Sequence, residues 1–422
     1  MAERPERGMK MTRRRLLAAG GGGVGLALAG GGYALGARQD DAAAGTAASV
    51  PFYGPQQAGI TTPPQERLMF AAFDLTVARA GELRDLLRTW TAAAALMTAG
   101  RPAGSPGGDP AAAPADTGEA VGLGPARLTV TFGFGPRVFR VNGEDRFGLA
   151  AREPAALAPL GPLPGDQLEP ERSNGDLCIQ ACADDPQVAF HAIRDLARVA
   201  RGAAVMRWTQ VGFGRAASTG RDQLTPRNLQ GFKDGTNNLD ASDSAAMGQY
   251  VWVGDEDPQA WFQGGTYVVT RRIRMLIETW DRSTLRDQQD TIGRFKESGA
   301  PLTGTHEHDR PNLRARTASG RPVIPLDAHI RLAAPSDNSG IRILRRGYSY
   351  SDGIDPATGE LDAGLFFICF QRDPHSQFVP LQRRLGSQDA LNEYIRHTSS
   401  ALFALPPGAQ RGSFVGAGLF HT

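Results

Sequence analysis

Cysteine is nearly missing from this 422-residue chain, which has only Cys178, Cys182 and Cys369. Three thiols build no disulfide framework. Cys178 and Cys182 stand four apart and Cys369 lies in the apolar run LFFICF, so all three read as buried free thiols. Zinc-type ligand spacing is absent as well, and His306 and His308 of THEHD read as an exposed loop because no third ligand stands near them. Excess charge is lacking: the net charge is +2, and residues 1–37 carry six basic residues against two acidic, leaving the remainder at −2. That balance gives no support for a nucleic-acid partner. Long, strongly apolar runs are also absent. The most apolar N-terminal stretch is so diluted with glycine and alanine that it makes a weak membrane span of about 20 residues.

What is present begins with that stretch. MKMTRRRLLAAGGGGVGLALAGGGYALGA has a basic start, a mildly apolar middle and a small-residue end, the order of a secretory signal. Arg13-Arg14 before the apolar part marks the twin-arginine route, which exports proteins already folded and so hints at a cofactor. A retained membrane anchor is the alternative reading. No cysteine precedes Cys178, which excludes a lipid-modified N-terminal cysteine. The expected layout is a signal over 1–37, a flexible leader over 38–60, an N-terminal half over 61–215 and a C-terminal half over 216–422.

With 41 % apolar and 21 % charged residues, the chain has the composition of a globular protein. Alternating patterns predict strands in RLMFAAFDLTV, RLTVTFGFG, GDLCIQACA and VMRWTQVGFGR, with helices over 80–100 and in DPQVAFHAIRDLARVARGAA. The order β, α, β, β, α, β is that of a ferredoxin-like sheet. It recurs: GGTYVVTRRIRML, RILRRGYSY and LFFICFQRD read as strands, 282–294 as a helix and 389–405 as the second helix. The fold class is therefore α+β, two ferredoxin-like halves with antiparallel sheets and peripheral helices. The Pro/Gly/Ala-rich segment 101–124 reads as a loop without an assigned role.

The chemistry-bearing residues concentrate in the second half. In GFKDGTNN, Asp234 sits at a glycine-flanked bend, and an ordinary turn accounts for it by itself. His329 lies among apolar neighbours, two residues before Arg331, and in extended geometry the two share a face. A lone histidine in such a stretch is more often a satisfied core residue than a ligand. Arg345 stands at a strand end, where arginines are usually solvated or paired. The phenylalanines of FICFQRDPHSQFVPLQRRL suit either an ordinary core or a flat apolar ligand.

Taken in order, GFKDGT, AHIRLAAP, ILRRGYSY and FFICFQRDPHSQFVPLQRRL, behind a twin-arginine signal, resemble the dye-decolourising peroxidase family and its exported deferrochelatase branch. The likeness runs from about residue 60 to residue 410. It implies one haem b per chain, bound in the C-terminal half, with His329 as the proximal iron ligand. It implies a distal catalytic pair of Asp234 and Arg345. Contacts to the haem edges or propionates would come from Arg331, Gly235, Thr236 and Asn237, with Ala334, Pro335 and Ser336 beside them, and Phe367, Phe370 and Phe378 would wall the pocket. Other branches carry Arg-Asp-Asn where this chain has Arg345-Arg346-Gly347.

Those residue types suit peroxide chemistry. A carboxylate can carry a proton from one peroxide oxygen to the other. A guanidinium stabilises the charge developing on the departing oxygen. The partners so implied are hydrogen peroxide, an organic reductant such as a dye or phenol, the twin-arginine machinery and iron-uptake proteins. Homo-oligomerisation is also expected. Release of iron from haem with the tetrapyrrole intact, and a non-enzymatic haem or iron carrier, are the alternatives.

Overall fold

The computed structural model describes residues 48–217 and 224–420. The expected signal and the first part of the expected leader lie outside these residues. The rest of the leader is packed, which corrects the expectation of flexibility. The Gln57 carboxamide donates to the Phe132 and Pro406 carbonyls at 2.9 and 3.0 Å and accepts from Phe132 N at 2.8 Å, while Phe52 and Ile60 are buried.

The N-terminal half runs β1 (Arg67–Leu75), α1 (Ala80–Met97), β2 (Thr129–Phe134), a short hairpin of β3 (Arg140–Val141) and β4 (Glu144–Asp145), β5 (Leu177–Ala183), α2 (Pro186–Val199) and β6 (Ala204–Arg215). Helix α2 starts where the sequence signals it. Asp185 accepts from the Gln187 and Val188 amides, and Pro186 occupies the first helical position, where its missing N–H costs nothing. The C-terminal half contributes α3 (Ser244–Tyr250), β7 (Thr266–Met275), α4 (Ile277–Arg282), α5 (Leu285–Ile292) and α6 (His329–Leu332). After these come β8 (Leu344–Arg345), β9 (Tyr348–Ile354), β10 (Leu361–Gln371), α7 (Phe378–Gln388) and β11 (Ile395–Leu405).

Both halves order their four long strands alike, fourth, first, third, second: β6-β1-β5-β2 and β11-β7-β10-β9. The ferredoxin-like pattern thus occurs twice, all antiparallel. The two sheets join at both edges, through Phe213 opposite Ser349 on one side and Ala404 opposite Phe134 on the other, so the strands close into a ring. Closure leaves no open edge between the halves. Phe70, Trp208, Tyr348, Tyr350, Phe366, Phe370 and Phe403 belong to the buried cluster inside the ring. The outward faces pack against α1 and α2 through Trp90, Leu83, Ile193 and Leu196.

Two local expectations are corrected. Segment 395–405 is strand β11, and the second helix of this half is α7. Strand β11 is buried on both faces between β7 and β2, so the alternation that marks a half-exposed strand is absent. Pro380 falls in the first turn of α7, where a helix tolerates it. His329 and Arg331 lie on the one-turn helix α6 rather than on a strand.

Candidate active site

The 226–238 segment is a folded-back loop. Asp234 N donates to Pro226 O at 2.9 Å, Asn228 N to Phe232 O at 3.0 Å, and Gly231 N to Asn228 O at 2.9 Å. Phe232 anchors it, buried among Trp280, Ile292, Leu391 and Tyr394, with its ring edge-on to Trp280 at 5.9 Å. Gly235 has φ +102°, a value that disfavours any side chain, and this turns the chain directly after Asp234. Lys233 and Thr236 both bind Glu307, the latter at 3.1 Å. Burial works against ionisation of Glu307, but the hydrogen bonds from Lys233, Thr225 and Thr236 hold its carboxyl below the ordinary range.

Arg345 reaches Asp234 from β8. Its Nη1 donates to Asp234 Oδ1 at 2.7 Å, and both side chains remain partly exposed. Asn238 secures the geometry: its Nδ2 donates to Arg345 O and its Oδ1 accepts from Arg345 N, both at 2.8 Å. The last residue of GFKDGTNN therefore locks the loop of Asp234 to the strand of Arg345. β8 pairs with β10 through Arg345 opposite Cys369, so Arg345 shares a face with Cys369 and Phe367. Arg346 projects the other way and is fully buried, donating to Thr62 O and, at 2.5 Å, to Gln65 Oε1.

His329 opens helix α6. Its Nδ1 lies 2.6 Å from Asp389 Oδ2, whose other oxygen accepts from Leu391 N at 2.9 Å. Burial pushes the imidazole pKa down, yet Asp389 outweighs it and the net shift is upward. The charge of Asp234 adds to the rise and that of Arg345 opposes it. Asp234 and Arg345 thus lie close enough to act on His329. With Nδ1 committed to Asp389, Nε2 is the nitrogen left for a ligand, and 36 % of the side-chain surface stays open although the residue lies deep in the protein.

The remaining candidates divide. Arg331 is buried and donates to Pro325 O at 2.9 Å and Ile324 O at 2.7 Å, which closes the turn that presents His329. Ala334 is buried, while Pro335 and Ser336 begin a 3-10 turn tied down by Asn338, which donates to the Leu332 and Ala334 carbonyls at 2.7 Å. Gly235 is buried and Asn237 exposed. Phe367 and Phe378 pair at 6.2 Å between ring centroids. Phe370 is corrected: it packs into the ring interior, because residues 366, 368 and 370 of β10 face away from 367 and 369. His306 and His308 are exposed, at 85 % and 74 %. Sequence reasoning missed Asp389, Glu307 and Asn238. Only Asn238 had a visible signal, as part of the quoted turn.

Comparison with known proteins decides the family. The Dyp-type peroxidase N-terminal domain matches residues 57–214 and the C-terminal domain residues 225–410. The chain belongs to the Dyp-type peroxidases. It is 38 % identical over 423 residues, 97 % of each chain, to a deferrochelatase of Escherichia coli strain K12. A DyP-type peroxidase from Streptomyces coelicolor superposes with a TM-score of 0.80 and 44 % identity, covering 88 % of this chain and 96 % of that one. Ferric DtpA from Streptomyces lividans gives 0.80 and 44 %, covering 88 % and 97 %. The Dyp-type peroxidases are haem-dependent enzymes that consume hydrogen peroxide and a reductant, and this chain is one of them.

The residues fit that cofactor. His329 Nε2 is the nitrogen not committed to Asp389, and Asp389 occupies the outer position that fixes the tautomer and orientation of a metal-binding histidine. Asp234 and Arg345 lie within electrostatic reach of it.

Proposed function

We propose that this Dyp-type peroxidase is exported by the twin-arginine route and carries one haem b per chain. It uses hydrogen peroxide to oxidise bulky organic reductants such as dyes and phenols. The observations that carry the reading are the Asp234–Arg345 pair at 2.7 Å and a histidine whose Nδ1 is held by a buried carboxylate. Bound haem supplies the redox-active iron, with His329 Nε2 as its protein ligand. The b-type assignment is what the family resemblance implies, and the lack of any C-x-x-C-H attachment motif agrees with a cofactor held without thioether bonds.

With haem bound and supplying the electrons for O–O cleavage, Asp234 would accept the proton from one peroxide oxygen and return it to the other, which would leave as water. Arg345 holds Asp234 in place and stabilises negative charge on the departing oxygen. The loop of Asp234 and the strand of Arg345 share the Asn238 lock, so the pair enters the reaction preorganised. Positioned proton transfer contributes about 10²–10⁴-fold. Asp234→Asn, at matched haem content, therefore slows the stopped-flow reaction with peroxide by that factor, and Arg345→Leu slows it as well. Wild-type rates in Asp234→Asn across acidic to neutral pH refute the assignment. Peroxide-dependent oxidation of a dye by wild type separates the enzyme from a haem carrier.

Identity to deferrochelatases over 97 % of the chain favours a second activity, release of iron from haem with the tetrapyrrole kept. Anaerobic conversion of haem to metal-free protoporphyrin tests it. Among the described residues no helix is long and apolar enough to cross a membrane.

A further inference from the structure

Far from the His329 site in sequence, the 101–124 loop lies against α2 and brings two of its acidic residues to a histidine. His191 and Asp195 are one turn apart on the buried face of the helix, and Asp116 comes from the loop; none exceeds 3 % exposure. His191 Nε2 lies 3.4 Å from Asp116 Oδ2 and 3.2 Å from Asp195 Oδ2, and both are ion-pair contacts rather than directed hydrogen bonds. The other nitrogen is occupied: Nδ1 is 3.0 Å from Glu119 Oε2, which is also held by Thr117 and whose partner oxygen binds Arg194. A donor to Glu119 through Nδ1 presents a bare Nε2 lone pair to two buried carboxylate oxygens. A positive charge between them resolves the conflict.

We propose that Asp116, His191 and Asp195 bind one divalent first-row transition-metal ion that clamps the 101–124 loop to α2. The three ligand atoms lie within 4.8 Å of one another. Bonds of 2.0–2.2 Å in a tetrahedral site place ligand atoms about 3.3–3.6 Å apart, close to the two Nε2–oxygen separations of 3.4 and 3.2 Å. Glu119 is the outer carboxylate that orients a metal-bound imidazole, as Asp389 is for His329. One nitrogen with two carboxylates suits zinc, iron or manganese. Calcium takes six to eight oxygens, more than this donor set offers. A water completes four-coordination. The carboxylates are also held by the protein: Asp116 Oδ2 accepts from Ala103 N and Oδ1 from Gly118 N, both at 2.7 Å, while Asp195 Oδ1 accepts from Thr117 N and Arg198 Nε and Oδ2 from the Thr117 hydroxyl at 3.2 Å.

The test uses the full haem-loaded chain, dialysed against a chelator and titrated with Zn²⁺ by calorimetry and thermal melting. The expected result is one Zn²⁺ per chain, a higher Tm on adding Zn²⁺, and slower proteolysis within 101–124. Asp195→Asn and His191→Gln weaken binding by at least about 100-fold, and Glu119→Gln by about 10–100-fold. The double variant His306→Ala, His308→Ala binds as wild type does. If wild type binds Zn²⁺ no more tightly than His191→Gln, or if the exposed histidines account for all binding, the proposal fails. The nook is then held by a proton on His191. Because the chelated wild type is read directly, a variant that does not fold leaves the test decisive.

Discussion

Asp389→Asn separates electrostatic support of His329 from simple capping of the turn after α7. The side chain is 3 % exposed, with one oxygen on His329 Nδ1 at 2.6 Å and the other on Leu391 N at 2.9 Å. Asparagine offers one acceptor oxygen, so only one of the two donors keeps a partner. If the oxygen stays with His329, a charge-assisted bond of about 1.5–3 kcal/mol becomes a neutral one of about 0.5–1.5 kcal/mol. That difference is roughly tenfold in affinity. Looser orientation of the imidazole adds to it, and changes of this kind cost about 10–100-fold in metal affinity. Haem should therefore pass to excess apomyoglobin about 10–100-fold faster from the variant. The midpoint potential should rise, because the imidazole donates less charge. Asp389→Glu, which keeps the charge, should recover part of both effects. A folded Asp389→Asn protein with wild-type transfer rate and potential would refute the reasoning and reduce Asp389 to a cap.

His329→Ala removes the one iron ligand assigned, so it should purify with little haem; full occupancy with an unchanged spectrum contradicts the proximal role. Replacing Arg13 and Arg14 by lysine should leave haem-loaded protein in the cytoplasm, and normal export of that variant points to another route. Acid should loosen the 101–124 loop. Burial works against ionisation of Glu119, but hydrogen bonds from Thr117, His191 and Arg194 lower its pKa from 4.5 to about 2. A depressed folded-state value means that the stabilisation is complete above the ordinary pKa and fades as pH falls toward the folded one. Amide exchange in 101–124, followed in metal-free buffer, should speed up between pH 4.5 and 2 and stay flat above.

In the N-terminal half β6 largely alternates buried and exposed positions, and α2 carries an Asp-Pro start and an amphipathic face, so both were legible. Asp234, His329 and Arg345 were singled out by the resemblance of four blocks taken in order, since each block alone reads as an ordinary turn, a core histidine or a paired surface arginine. β11 was not legible, since DALNEYIRHTSSALFAL shows no period-2 alternation, and pairing with the neighbours β7 and β2 makes its second part a strand. Phe370 was misplaced for a related reason: the sequence shows a run of aromatics, while the pleat of β10 decides which face each one takes.

By itself the sequence determined two ferredoxin-like halves, the turn around Asp234 and the blocks carrying His329 and Arg345. Local propensity and periodicity are properties of neighbouring residues, so they are written in the order of the chain. The tertiary structure alone decided that Asp389, sixty residues from His329, holds its imidazole. It also decided that Asn238 locks Arg345 across 107 residues and that Asp116 meets His191 across the surface of α2. Those pairings depend on how the closed ring of strands places its connections in space, and hydrogen bonds and ion pairs act over a few ångströms whatever the separation along the chain.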